Sequence, residues 1–201
     1  MASKTVPILV SAAKQAFPHW SKLPVRDRVK YLSRFKSLIV SDTDHLAKLI
    51  HEDHGKNLKE ARAELEKGLE TLEYSEAGAV LMTGKKLEVS KGVYCEESHE
   101  ALGVVTSICP FNFPMMVPFW TIPIALVTGN CIVVKPSEKV PRTLDRILEL
   151  SKEAGFPEGV FSLAHGGVDT VNDLITHPDI KAVTFVGSSP VAKIVGDIAQ
   201  Q

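Results

Sequence analysis

Up to about Gly84, apolar positions recur every three or four residues among charged ones, the period of amphipathic helices. Val25, Val29, Leu32, Phe35 and Ile39 form one stripe, opened by Pro24, a residue suited to a first helical position. Ser41 or Asp42 is suited to cap the next helix, which carries Leu46, Leu49 and Ile50 and stops near Gly55. Asn57 can open a third, with Leu58, Ala61, Leu65, Leu69 and Leu72 on one face, expected to run to about Val80. An amphipathic helix ending Ala16-Phe17-Pro18-His19-Trp20 precedes all three. From Leu87 to Glu100 the period shortens. Leu87, Val89, Val93 and Cys95 favour strand and Ser90-Lys91-Gly92 supplies a turn, so a polar hairpin is expected, an arm more than a core element.

From Leu102 onward short apolar runs alternate with helical patterns. The runs are Gly103 to Cys109, Cys131 to Lys135, Val160 to Ala164 and Ala182 to Val186. Helices are expected near 115–128, 141–154 and 168–176, and from about Pro190. Continuous apolar strands joined by crossover helices make a parallel sheet covered on both faces. The expected fold class is therefore α/β: a Rossmann-like parallel sheet with helices on both faces, preceded by an N-terminal helical segment and a β-hairpin arm. The expected division is a helical part at 1–86, the hairpin arm at 87–101 and the Rossmann-like core at 102–201. Ligands of such sheets bind at the carboxyl ends of the strands.

Composition narrows the function. The 201 residues are 44% hydrophobic and 23% charged, ordinary for a globular protein. Lys plus Arg number 23 and Asp plus Glu 24, a net charge of -1, so no electrostatic case exists for a nucleic-acid or membrane-surface partner. No apolar run reaches the ~20 residues needed to span a bilayer. The stretch from Pro114 to Val134 comes nearest but is broken by Pro118, Pro123, Gly129 and Asn130. Met1-Ala2-Ser3-Lys4 leads into polar helix and not into a signal peptide, so the cytoplasm or an organelle matrix such as the mitochondrial matrix is expected. Cys95, Cys109 and Cys131 are too few and scattered for a disulfide framework or zinc site. His51 and His54 share a helix without further ligands, so no metal site is expected.

The chemistry sits just after each strand. Pro110-Phe111-Asn112-Phe113-Pro114 holds an Asn in a rigid turn, where its amide could stabilise an oxyanion or merely make the turn. Lys135-Pro136-Ser137-Glu138 places a lysine at the ligand edge and an acid three residues on. Such an acid can accept from ribose hydroxyls and repel a 2′-phosphate, favouring NAD over NADP, or simply complement a helix dipole. His165-Gly166-Gly167 permits a tight turn, and no role is assigned to His165. Gly187-Ser188-Ser189-Pro190 presents N–H groups that suit pyrophosphate, or is a plain helix cap. All three cysteines read as small buried hydrophobes.

Taken together, these residues resemble the NAD(P)-dependent aldehyde dehydrogenase superfamily. The motifs that carry the likeness are Gly103-Val104-Val105, Pro110 to Pro114, Gly129-Asn130, Lys135 to Glu138, Ala154 to Val160, and Phe185-Val186-Gly187-Ser188, in family order and spacing. Phe111 in place of the common Trp, Met115 to Trp120, Val168 to Asn172, and Val186 resemble the CoA-acylating methylmalonate-semialdehyde branch. Lys67-Gly68 departs from it, since that branch tends to carry Arg there for the substrate carboxylate, and Lys keeps the charge without the bidentate fork.

The resemblance implies NAD as cofactor, CoA as a further co-substrate, and a small aldehyde as substrate. It implies that Asn112 donates to the oxyanion and that Lys135 and Glu138 hold the adenosine ribose. Phe111 and Ser188 line the cofactor cleft, and Cys109 contributes its backbone there. The family's catalytic cysteine belongs to a second domain without counterpart in these residues, so the chain alone is expected to be inactive. A homo-oligomer, or association with a full-length homologue through the hairpin, is expected. Lys135, Glu138 and Ser188 equally suit a non-enzymatic NAD- or CoA-binding module or a docking subunit.

Overall fold

A computed structural model describes residues 5–200. Four long helices come first: α1 (Thr5–Lys22), α2 (Val25–Ser41), α3 (Thr43–His54) and α4 (Leu58–Ser75). The apolar stripes explain them, since Leu32, Phe35, Ile39, Leu46, Ile50, Ala61, Leu65 and Leu72 are all buried. Asn57 caps α4 as expected, its side chain accepting from the Glu60 N–H at 2.9 Å. Gly55 ends α3 at φ 85°, and its N–H donates to the His51 carbonyl.

Three local expectations are corrected. Pro24 precedes α2 instead of opening it. Asp42 precedes α3 without capping it, because its carboxylate accepts from Arg146 Nε at 2.8 Å. The third helix stops at Ser75, and a separate turn, α5 (Gly78–Leu81), follows. Glu76 is drawn to α2, where Ser33 donates to it at 2.7 Å and Lys36 pairs with it. The redirected chain then presses Gly78 against Val127.

The hairpin pairs β1 (Lys85–Ser90) with β2 (Val93–Glu97), and every residue of both strands is exposed. Its first strand begins two residues before Leu87, and pairing ends at Glu97 instead of Glu100.

The core sheet follows. Its strands are β3 (Val104–Ile108), β4 (Cys131–Lys135), β5 (Phe161–Leu163) and β6 (Ile180–Phe185), all parallel, in the order β5-β4-β3-β6. β3 and β4 are buried at every position, and their β-branched-rich sequences suit a sheet covered on both faces. The helix expected near 115–128 is two short ones, α6 (Met116–Phe119) and α7 (Ile122–Val127). Pro118 and Pro123 remove N–H donors, and Pro123 lies at the start of α7, where that loss is harmless. Then come α8 (Arg142–Glu153), α9 (Val168–Ile175) and α10 (Ser189–Ala199).

The helical segment and the sheet share one core. Trp20 Nε1 donates to the Leu126 carbonyl at 3.1 Å. Arg28, only 3% exposed, donates to the carbonyls of Val127, Ser21 and Leu23. Burial alone lowers its pKa.

Candidate functional site

From β3 the chain passes through β4 and β5 on one side, then crosses to β6 on the other. The crevice beyond the carboxyl ends of β3 and β6 is therefore a topological switch point, where parallel sheets place ligands. A cavity of about 290 Å³ opens there. Ile108 and Phe185 come from the two strands, Val168, Val171 and Ile175 from α9, and Val191, Ile194 and Val195 from α10. Lys135 and Glu138 are its charged members. Larger depressions on α1 (about 700 Å³) and beside α2 (about 810 Å³) are open surface lined by no comparable set.

Lys135 ends β4 with its stem buried, at 6% exposure. Its ammonium donates to Glu138 Oε2 at 2.8 Å, while the Glu138 side chain remains 58% exposed. The Lys135 hydrogen bond, helped by a backbone donor and the nearby charge of Lys139, holds the Glu138 carboxyl below its usual range. The carboxylate can thus turn between its lysine and a ligand at the cavity mouth.

Ser188 occupies the residue before α10 in extended conformation, and its hydroxyl makes no capping bond. Its carbonyl accepts from the Ala192 N–H at 2.9 Å. At Gly187 a Cβ would lie 2.5 Å from Phe185 Cζ, so any side chain there would displace that cavity wall. Lys135 and Glu138 thus line one crevice, and Ser188 is not among its lining residues but lies in the sequence between two of them, Phe185 and Val191.

The turn after β3 lies beside it. The Cys109 N–H donates to the Lys135 carbonyl at 3.0 Å, joining the two strand ends. Burial pushes the Cys109 thiol up to about 11 and the Cys131 thiol up to about 12. Cys95 is exposed on β2, against the expectation that all three thiols are buried, because neither face of the hairpin is covered. Phe111, 47% exposed, stacks on His54 at 6.2 Å between centroids, with Lys139 Nζ 4.8 Å from its ring. Asn112 is exposed, and its side-chain amide has no partner among the described residues. Its backbone carbonyl accepts from Lys56 Nζ at 2.6 Å. His165 pairs with Asp145 at 2.8 Å. Lys67 pairs with Glu70 at 2.7 Å on the exposed side of α4.

Two residues near the turn escape sequence reasoning. Lys56 follows the α3 terminus and carries no pattern of its own. Glu64 had a signal, since a carboxylate three residues after Ala61 and four before Gly68 falls on the buried stripe of α4. Among the described residues no group of three or more His, Cys, Asp and Glu could hold a metal. No described helix is long and apolar enough to cross a membrane.

The chain is similar in sequence and fold to known proteins. The Aldehyde dehydrogenase family profile matches residues 1–201. Malonate-semialdehyde dehydrogenase 1 of Oceanobacillus iheyensis is 46% identical over 191 residues, 94% of this chain and 39% of that protein. The crystal structure of methylmalonate-semialdehyde dehydrogenase from Oceanimonas doudoroffii superposes with a TM-score of 0.97 at 40% identity, covering 100% of this chain and 41% of that one. A Sinorhizobium meliloti 1021 protein, provisionally assigned as methylmalonate-semialdehyde dehydrogenase and solved with NAD, gives 0.96 at 33% identity, covering 100% of this chain and 41% of that one. The chain spans about two-fifths of the length of the curated relatives it matches. Over that span the chain belongs to the aldehyde dehydrogenase family.

Proposed function

We propose that this chain is the NAD-binding portion of a semialdehyde dehydrogenase that oxidises its substrate to an acid or acyl-CoA. The observation that carries the reading is the Lys135–Glu138 pair at the mouth of an apolar cavity at the switch point. Aliphatic walls from α9 and α10 fit a flat adenine ring, and the pair fits the hydroxyls of its ribose. Ser188 and the first turn of α10 suit the pyrophosphate. Phe111 and the Cys109 backbone line the rest of the cleft. NAD, held by these residues, would supply the two-electron acceptor for the oxidation.

Asn112 supplies the amide donor to the carbonyl oxygen as negative charge develops there. Lys67 offers a single ammonium to a substrate carboxylate. CoA as acyl acceptor follows from the resemblance to the acylating branch. We assign the helical part to 1–86, the arm to 87–101 and the NAD-binding core to 102–201, with the exposed hairpin serving self-association or association with a full-length homologue. Cys109 and Cys131 are buried and protonated, and Cys95 sits on the hairpin, so these residues alone sustain no turnover.

Parallel titrations of NAD and NADP test the assignment. Glu138 repels a 2′-phosphate, so NAD should bind at least about tenfold more tightly, and Glu138→Gln should narrow the gap to about threefold. Equal affinity of the wild-type chain for both dinucleotides would overturn it.

A further inference from the structure

The turn that carries Asn112 lacks the usual supports. Pro110 and Pro114 remove two N–H donors, and among the described residues no backbone–backbone hydrogen bond reaches residues 110–114. An oxyanion donor must nevertheless be fixed before charge develops, or its alignment is lost. The support comes from a pair on other elements. Lys56 Nζ donates to the Asn112 carbonyl at 2.6 Å and lies 4.0 Å from the centroid of the Phe113 ring. It also pairs with Glu64, whose side chain is 1% exposed against 13% for Lys56. Glu64 Oε1 in turn accepts from the Met115 N–H at 2.9 Å and lies 3.4 Å from the Met116 nitrogen, which also donates.

We infer that Lys56 and Glu64 are positioning residues for Asn112, clamping its turn at the Asn112 carbonyl and just past Pro114 while leaving its side-chain amide open to the substrate. The inference rests on the oxyanion role proposed for Asn112. A buried ion pair adds little stability over apolar residues of equal volume. An apolar pair, however, could not bond a carbonyl within the turn and two N–H groups just after it.

The test is ¹⁵N relaxation at the Asn112 backbone and side-chain amides, without cofactor, in the wild-type chain and in Lys56→Met/Glu64→Gln. The double variant leaves no unpaired buried charge and keeps an acceptor for the Met115 N–H while removing the bond to the Asn112 carbonyl, so its unfolding midpoint should stay within a few degrees. The Asn112 backbone order parameter should fall from about 0.85 to below about 0.6, while Val133 in β4 stays near about 0.85. Asn112 remaining rigid in the double variant, or order lost equally in β4, would overturn the inference. NAD is absent from the measurement, so a failure of the cofactor assignment would appear only in the dinucleotide titrations.

Discussion

Two lysine–glutamate pairs of the chain are buried in opposite senses. At the cavity mouth Lys135 is buried (7%) and Glu138 exposed (58%). Beneath the Asn112 turn, Glu64 is sealed (1%) and Lys56 is nearly so (13%). An exposed carboxylate can trade its lysine for a ligand hydroxyl at small cost. A sealed carboxylate bound to two backbone N–H groups cannot move without breaking the turn. The same two residue types therefore serve recognition in one place and rigidity in the other. Which partner faces water decides between them.

The largest expected effect separates the pairs by stability. Lys56→Met alone leaves Glu64 charged and buried, and should cost about 3–5 kcal/mol in urea unfolding. Lys135→Met frees Glu138 into water and should cost no more than about 1 kcal/mol. Equal losses would erase the distinction.

A smaller effect is read by pH. The Glu138 carboxyl is held below its ordinary value of 4.5 chiefly by Lys135, so the pair's stabilisation is present above that value and lost as pH falls through the lowered one. Carboxyl ¹³C titration should show Glu138 protonating below 4.5, and Lys135→Met should move the transition upward. An unchanged transition in the variant would mean that the pair does not form in solution.

The smallest effect lies in the arm. Leu87 is 65% exposed on β1, so Leu87→Ser should change stability by less than about 0.5 kcal/mol while reducing self-association in light scattering. A cooperative loss of stability would show that the arm packs on the core.

Legibility in the sequence follows the same physics. The sheet is legible because Val104-Val105 and Cys131 to Val134 are short, β-branched-rich runs that suit two-sided burial. Lys135 and Glu138 were readable because a charge directly after such a run must emerge at the ligand edge. The apolar cavity was not, because the side chains of α9 and α10 that face it look like any buried helix face. Lys56 was invisible because its partners, Glu64 and Asn112, are joined to it only by tertiary packing. The breaks after Ser75 and between α6 and α7 are not legible in the apolar period for related reasons. Glu76 answers to Lys36 and Ser33 on α2, and Pro118 and Pro123 divide an otherwise helical apolar pattern.

NAD binding at the Lys135–Glu138 pair is tested by calorimetric titration of NAD into the purified chain and into its Lys135→Ala/Glu138→Ala variant. Binding should be saturable in the chain and lost in a variant that circular dichroism shows to be folded. Equal binding by both, or no binding by a folded wild-type chain, would contradict it.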